Sequence, residues 1–378
     1  MLIEYYSQQP LMFLLLSLLA ITVVIQLIFY WGFFARVAFF KQKNDFIRKD
    51  EPVSVIICAR DEYYNLRDNL PLFLQQDYAN YEVVVVNHAS EDDSHYLLED
   101  LSKEYPHLKI VNLPADLNFF TGKKFPLSIG IKSAQHDICL FTDADCKPRS
   151  NDWLRKMASN FTFGTEIVLG YGAYERKNNL LNRFIRFDTL RIAMQYMGFA
   201  LAGVPYMGVG RNLAYRKSLF YRNNGFISHY RIRTGDDDLF INKAATAKNT
   251  RVELRKDSHT LSVPKTSFRL WVRQKRRHLT SGVHYKMGHR FLLALNGITQ
   301  FLFYAITIFL LVMWYMPYIV IGLAAFRILS QLFIVQKIMR RLAEKEFLFM
   351  VPFFEIFMLL LTPVLVLTNS FYKPPKWR

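Results

Sequence analysis

From Leu11 to Phe34 the chain carries no charged residue, and a helix needs about 20 mainly apolar residues to cross the hydrocarbon core of a bilayer. One span is predicted there. Met1 to Pro10 holds Glu4 but no Lys or Arg, whereas a cleaved leader would open on basic residues, so the segment reads as a retained span. Apolar character returns with Phe291 to Met316 and Tyr318 to Val335, two further spans joined at Pro317. A last stretch, Phe347 to Phe371, is long enough to cross but contains Pro352, Glu355 and Pro363. It reads either as a fourth span or as a re-entrant or interfacial segment.

Between about residues 51 and 290 the pattern changes. Val53 to Cys58, Tyr81 to Val86 and Asp137 to Thr142 are short runs rich in β-branched residues, as strands buried on both faces of a parallel sheet require. Helical patterns separate them at Leu66 to Gln76, Ser94 to Tyr105 and Phe125 to Ala134. The expected fold is α/β, a doubly wound sheet whose ligands sit beyond the carboxyl ends of the strands. Three parts follow: an N-terminal membrane helix over 1–40, an aqueous domain over 51–290, and a C-terminal membrane region over 291–378.

Charge orients these parts. Arg36, Lys41, Lys43, Arg48 and Lys49 follow the first span, and Lys337, Arg340, Arg341 and Lys345 follow the third. Because basic residues stay on the cytoplasmic side, the N-terminus is expected outside and the domain inside, at the inner (plasma) membrane. Lys373, Lys376 and Arg378 prefer that same side. The chain holds 48 Lys and Arg against 31 Asp and Glu, a net charge of +17, with 52% hydrophobic residues. Such a composition excludes a disordered tail protein. From Arg251 to Arg290, eleven basic residues face two acidic ones, with Phe268 and Trp271 interleaved. An anionic membrane surface explains that stretch, and a domain anchored at both ends makes nucleic acid a poor partner. Cys58, Cys139 and Cys146 form neither a disulfide framework nor a zinc-ligand pattern, which suits a reducing cytoplasm.

The polar residues after each strand carry the chemistry. They are Ala59-Arg60-Asp61-Glu62, then Asn87-His88-Ala89-Ser90 running into Glu91 and Asp92, then Asp143-Ala144-Asp145. Two carboxylates separated by one residue on extended backbone project to one side and can approach a single hard divalent cation. Mg²⁺ or Mn²⁺ on Asp145 and Asp143 would neutralise diphosphate oxygens. Gly122-Lys123-Lys124 lacks the glycine spacing of a P-loop, and a plain solvated lysine is an equal reading for Lys124. Gly235-Asp236-Asp237-Asp238-Leu239 opens a helix. Capping accounts for one acid there, and mutual repulsion among three raises at least one pKa towards that of a useful base. Arg277, in Gln274-Lys275-Arg276-Arg277-His278, can grip a diphosphate with two parallel hydrogen bonds.

In their order, VSVIICARDE, VVVVNHASEDDS, GKK, TDADC, GDDD and QKRRH make the chain resemble a membrane-bound family 2 glycosyltransferase of the GT-A type over residues 51 to about 290. The resemblance implies a hexosyltransferase-like, inverting and metal-dependent enzyme of cell-envelope polysaccharide synthesis, with a nucleotide-sugar donor and a lipid-linked or saccharide acceptor. It implies that Ala59, Arg60 and Glu62 line the nucleotide pocket, that Asn87 and His88 read the base, and that Lys123, Asp143, Gln274 and Arg277 hold the nucleotide-sugar. Gly210 lies in a small-residue floor under the donor sugar and, with His278, is expected to face the acceptor. For the base, a gap-free match to Gly-Asp-Asp-Arg synthases selects Asp237, and the acidic-Asp-x-Asp-Leu form selects Asp236; Asp237 is taken first and Asp236 second. Three departures stand out. The family places aspartates where Asn87 and His88 stand, and a Trp where His278 stands. They leave open a second reading, a non-catalytic subunit that binds nucleotide or a partner, against which Asp143, Asp145, Asp237, Gln274 and Arg277 all speak.

Overall fold

The computed structural model describes residues 9–41, 51–114, 122–232 and 234–371. Lys43, Arg48, Lys49, Lys373, Lys376 and Arg378, used above to orient the chain, lie outside the described residues. The first apolar stretch is helix α1, Pro10–Leu27, which begins on proline and continues through a wider π turn, Ile28–Phe34, into Ala35–Ala38. With Met287–Val312 (α10), Pro317–Arg341 (α11) and Leu348–Asn369, it makes four helices, among the described residues, long and apolar enough to cross a membrane.

The domain is built on a sheet of seven strands in the order β3-β2-β1-β4-β8-β6-β9. Strands β1 (Val53–Ala59), β2 (Tyr81–His88), β3 (Leu108–Leu113) and β4 (Ile138–Asp143) run parallel. Helices α2 (Tyr63–Leu74), α3 (Ser94–Glu104) and α4 (Lys124–Ser133) connect them, as the apolar runs predict. The other half departs from a purely parallel sheet. Strand β8 (Leu213–Arg216) pairs antiparallel to both β4 and β6 (Ile167–Leu169), and β9 (Thr250–Val252) closes the edge beside β6. Three- and four-residue strands are too short to show a period of two, which is why they were not read. A second small sheet joins β5 (Cys146–Pro148) and β7 (Gly172–Tyr174) to β10 (Thr260–Ser262).

Two apolar layers cover the large sheet. One packs α2, α3 and a short helix, α5 (Trp153–Ala158), against odd-numbered positions of β1 and β2. The other takes the even-numbered positions and runs without a break through the 22-residue helix α6 (Leu180–Leu201) to Phe29, Phe34, Val335 and Val351. Domain and long apolar helices therefore share one core, and each fully buried Leu, Val or Phe in it contributes about 1.5–3 kcal/mol. At the seam Phe199 lies 4.9 Å from Phe33, ring to ring. A Cβ on Gly198 would stand 3.0 Å from the Phe33 carbonyl oxygen. Residues 217–222 form α7, Asp238–Ala244 α8, Phe268–His278 α9 and Val351–Phe371 α12.

Inside the apolar bundle is a polar knot. Glu355 on α12 accepts hydrogen bonds from Tyr30, Gln300, Tyr304 and Gln331 and pairs with Arg327 at 2.9 Å. Arg327 also donates to Gln26, whose amide reaches Thr299 at 2.6 Å. Charges in such a place survive only when paired and hydrogen-bonded.

Candidate active site

Parallel pairing puts the ends of β1, β2 and β4 on one rim. Cys58 stands opposite Asp143, and Ala59 opposite Asn87. Beyond the strands the first two loops are latched together. Asp61 donates its amide to Ser90 and accepts from the amide of Glu91 at 2.8 Å, while Asp92 accepts from the amide of Tyr63 at 2.9 Å. Asp61 and Ala89 both take positive φ to make this crossing. The sequence places Asp61, Ser90 and Asp92 among the polar residues after the strands, but not their latching role, which depends on contacts between two loops.

Lys123 meets Asp143 in an ion pair at the N-terminus of α4. Burial works against the charge of Lys123, but Asp143 and then Asp236 outweigh it and hold the ammonium above its ordinary range. Burial likewise penalises Asp143, and Lys123 overcomes it, holding that carboxyl below its usual range. Asp145 is pushed the other way, by burial and then by Asp143. The carboxylates of Asp143 and Asp145 and the sulfur of Cys146 lie within 4.8 Å of one another. Burial pushes the Cys146 thiol up, and its sulfur sits 2.9 Å from the Ser262 hydroxyl. The donors on offer are thus two hard oxygens and a protonated thiol. That set fits Mg²⁺ or Mn²⁺, whose charge would relieve the repulsion on Asp145.

Three successive aspartates have three different surroundings. Gly235, at φ 93°, turns the chain so that they follow; a Cβ there would lie 2.4 Å from the Leu239 side chain. Asp238 is buried and accepts from Ser281 and from Tyr285 at 2.6 Å, which fixes the start of α8. Asp237 accepts from the Gly210 amide at 2.8 Å and from the Asp238 amide at 2.7 Å. Burial, then Asp236 and Asp238, push its carboxyl up to about 8. Asp236 is half-buried and acts electrostatically on Lys123 and Cys58 at the donor rim.

Lys124 departs from the sequence reading. It is buried rather than solvated, and its ammonium donates to the carbonyls of His229, Ile232 and Thr234, pinning the segment that leads into the aspartates. Helix α9 closes the site from the other side. Gln274 donates to the Tyr174 hydroxyl at 3.1 Å, and the Tyr174 ring carries the guanidinium of Arg211 4.3 Å from its centre. Arg211 and Arg277 both act on Asp143 and help keep it ionised. Lys275, between Gln274 and Arg277, is instead a buried partner of Asp188 on α6. Arg211 belongs to the site yet carried no sequence signal beyond its neighbour Gly210.

Arg60 and Glu62 stand at the rim partly exposed, and burial raises Glu62. Asn87 and His88 are strand residues, because β2 runs two positions further than its apolar run. Asn87 donates to Asn112 on β3 at 3.1 Å, and His88 is 1% exposed beneath the rim. His278 ends α9 and is exposed. The structure thus brings together Lys123, Asp143, Asp145, Asp236, Arg211 and Arg277, and leaves Asn87 and His88 below the surface of the cleft.

Residues 54–223 match the sequence model of Glycosyl transferase family 2. The chain is 26% identical over 183 residues to the probable glycosyltransferase YdaM of Bacillus subtilis (strain 168), covering 46% of this chain and 42% of that protein. It is 30% identical over 125 residues to the glycosyltransferase AglE of Haloferax volcanii, covering 32% and 39%. The matched stretches span about two fifths of these relatives' lengths. Among solved structures, the fold is similar to that of the mannosyltransferase PcManGT from Pyrobaculum calidifontis in complex with GDP-Man and Mn²⁺. That likeness has a TM-score of 0.57 at 17% identity and covers 87% of this chain and 97% of the other.

Proposed function

We propose that the chain, whose residues 54–223 match Glycosyl transferase family 2 and whose fold is similar to that of PcManGT, transfers a sugar, with inversion, from a nucleotide-sugar to a lipid-linked or saccharide acceptor at a membrane. The observation that carries this reading is the convergence of Asp143, Asp145 and Arg277 on one rim with the electrostatic reach of Asp236. Asp145 and Asp143 would hold a divalent cation, which would supply charge neutralisation on the diphosphate. Arg277 would add hydrogen bonds to the diphosphate, and Lys123 keeps Asp143 ionised. Asp236 takes the acceptor hydroxyl proton as that oxygen bonds to the sugar carbon; the bond from that carbon to the phosphate oxygen breaks, and the nucleoside diphosphate leaves with the electron pair. Asp236 is preferred to Asp237 because both Asp237 oxygens already accept backbone amides. Placing the domain in the cytoplasm at the inner membrane follows the basic flanks of the apolar helices.

The burial of Asn87 and His88 favours one other reading, a subunit that binds nucleotide or a partner without turnover. One assay decides between them: nucleoside diphosphate release from membranes holding the full chain, over a panel of UDP-, GDP- and dTDP-sugars with Mn²⁺ or Mg²⁺. GDP-Man and Mn²⁺ are the first pair to try, since PcManGT is seen with both. Release above the Asp145→Asn variant is expected; no release from any donor, with nucleotide still bound, would support the subunit.

A further inference from the structure

The last apolar helix, α12, is long enough to cross a bilayer, at about 31 Å for 21 residues. Both of its ends, however, are fastened to the same aqueous domain. Just before it, Glu344 and Glu346 pair with the buried Arg186 of α6 at 2.6 and 3.3 Å, and Glu344 accepts from Tyr171. At its far end Asn369 accepts from Arg276 of α9 at 2.8 Å and returns a bond from its amide to the Arg276 carbonyl at 2.8 Å. Between these points Phe357 packs on Phe184 and Phe268, 5.3 and 6.1 Å away ring to ring. A helix that crossed would carry one end to the opposite face, the thickness of the hydrocarbon core from α6 and α9.

Resting on the reading of α1, α10 and α11 as spans, we propose that α12 does not cross but lies along the membrane surface, on the same side as the domain, with one face in lipid. Phe349, Phe353, Leu360, Val364, Leu367 and Phe371 form that face. Phe349 stands just ahead of the helix, and from Phe353 the others follow at intervals of seven, four, three and four residues along one stripe; each is more than half exposed. Phe357 interrupts that stripe to pack on the domain, Phe354 beside it reaches Phe184 and Phe187 of α6, and Glu355 turns inward to Arg327. An exposed apolar stripe on a helix packed against an aqueous domain is how an interfacial helix meets acyl chains. Three crossings also leave Lys373, Lys376 and Arg378 on the side where Arg340 and Arg341 follow α11, as the positive-inside rule asks.

Membrane-impermeant maleimide labelling tests this on the full chain in sealed vesicles of both orientations. Cys58, Cys139 and Cys146 are buried, so the background is low. Lys103→Cys reports the exposed face of the domain, Trp314→Cys the exposed turn between α10 and α11, and Lys376→Cys the tail after α12. Position 376 is expected to label in the vesicles that expose 103 and to stay silent in those that expose 314. Labelling of 376 together with 314 would overturn the proposal and leave the membrane reading intact. Labelling of 103 and 314 from one side would instead remove the spans, and the proposal with them.

Discussion

The Oδ2 atom of Asp237 accepts a hydrogen bond from the amide of Gly210 at 2.8 Å, tying the acidic turn to the segment under β8. With the bond to the Asp238 amide, both Asp237 oxygens are engaged, and the proposed assignment of the proton to Asp236 can be tested against Asp237. Asp236→Asn should lower turnover by about 10² to 10⁴-fold, the usual contribution of a positioned base, with donor affinity unchanged. Asp237→Asn should reduce turnover less and cost about 1–2 kcal/mol of stability, as one backbone amide loses its acceptor. Single-turnover rates beside isothermal titration of the nucleotide check both; a dead Asp237→Asn next to an active Asp236→Asn would give the base role back to Asp237.

The raised carboxyl of Asp237 also sets a sign for stability against pH. A carboxyl near 8 in the folded chain and near 3.8 in the unfolded one binds more protons when folded throughout that window. Stability from this group is therefore complete below 3.8 and is lost as pH rises through 8. Thermal midpoints in detergent should fall from pH 5 to pH 8, and the slope should be shallower in Asp237→Asn.

Cys146 gives a test of which metal the site takes. Its buried thiol bonds to Ser262 and is pushed up by burial, so the proposed ligands are the oxygens of Asp143 and Asp145. Cys146→Ser should keep the Mn²⁺ or Mg²⁺ dependence of nucleotide release, whereas Asp145→Asn should lose about 100-fold or more. A shift of metal preference in Cys146→Ser would show sulfur ligation and a softer ion.

The parts legible in the sequence were those with a period or a fixed spacing. Val53 to Cys58 and Tyr81 to Val86 announced parallel strands, Asp143 and Asp145 announced a rim, and the charge-free run after Leu11 announced a long apolar helix. What was illegible depends on contacts between residues far apart in the chain. Lys124 looks like its neighbour Lys123 until the carbonyls of His229, Ile232 and Thr234 are brought to it. The role of α12 was open because hydrophobicity measures length and not where the two ends are fastened.

Lys124 therefore makes a prediction of its own. Lys124→Met keeps the chain length but leaves three carbonyls without their donor, at a cost of about 2 kcal/mol or more. The turn carrying Asp236 should loosen. Turnover should drop while donor affinity, set on the other side of the cleft, stays within about twofold; hydrogen exchange of residues 229 to 238 should quicken against an unchanged β1.

Asp188 and Lys275 join α6, the helix that packs against the long apolar helices, to α9, the helix that carries Gln274 and Arg277. Lys275 reaches both Asp188 oxygens, at 2.8 and 2.7 Å, and both side chains are 6% exposed. Burial penalises the Asp188 charge, but Lys275 holds its carboxyl below the usual range, so this contribution is present at neutral pH and is lost as pH falls through the depressed value. Asp188→Asn leaves an ammonium buried without its counter-charge, and about 3–5 kcal/mol of stability should go with it. Asp188→Leu with Lys275→Met removes both charges and should recover most of that loss. If α9 is held by packing alone, the double variant will also bind donor as the parent does. If the ion pair sets the rotation of α9, Gln274 will leave Tyr174 and donor affinity will stay weak although stability returns. A double-mutant cycle read in both thermal midpoint and nucleotide affinity separates the two, and the bond from Gln274 to Tyr174 predicts the second.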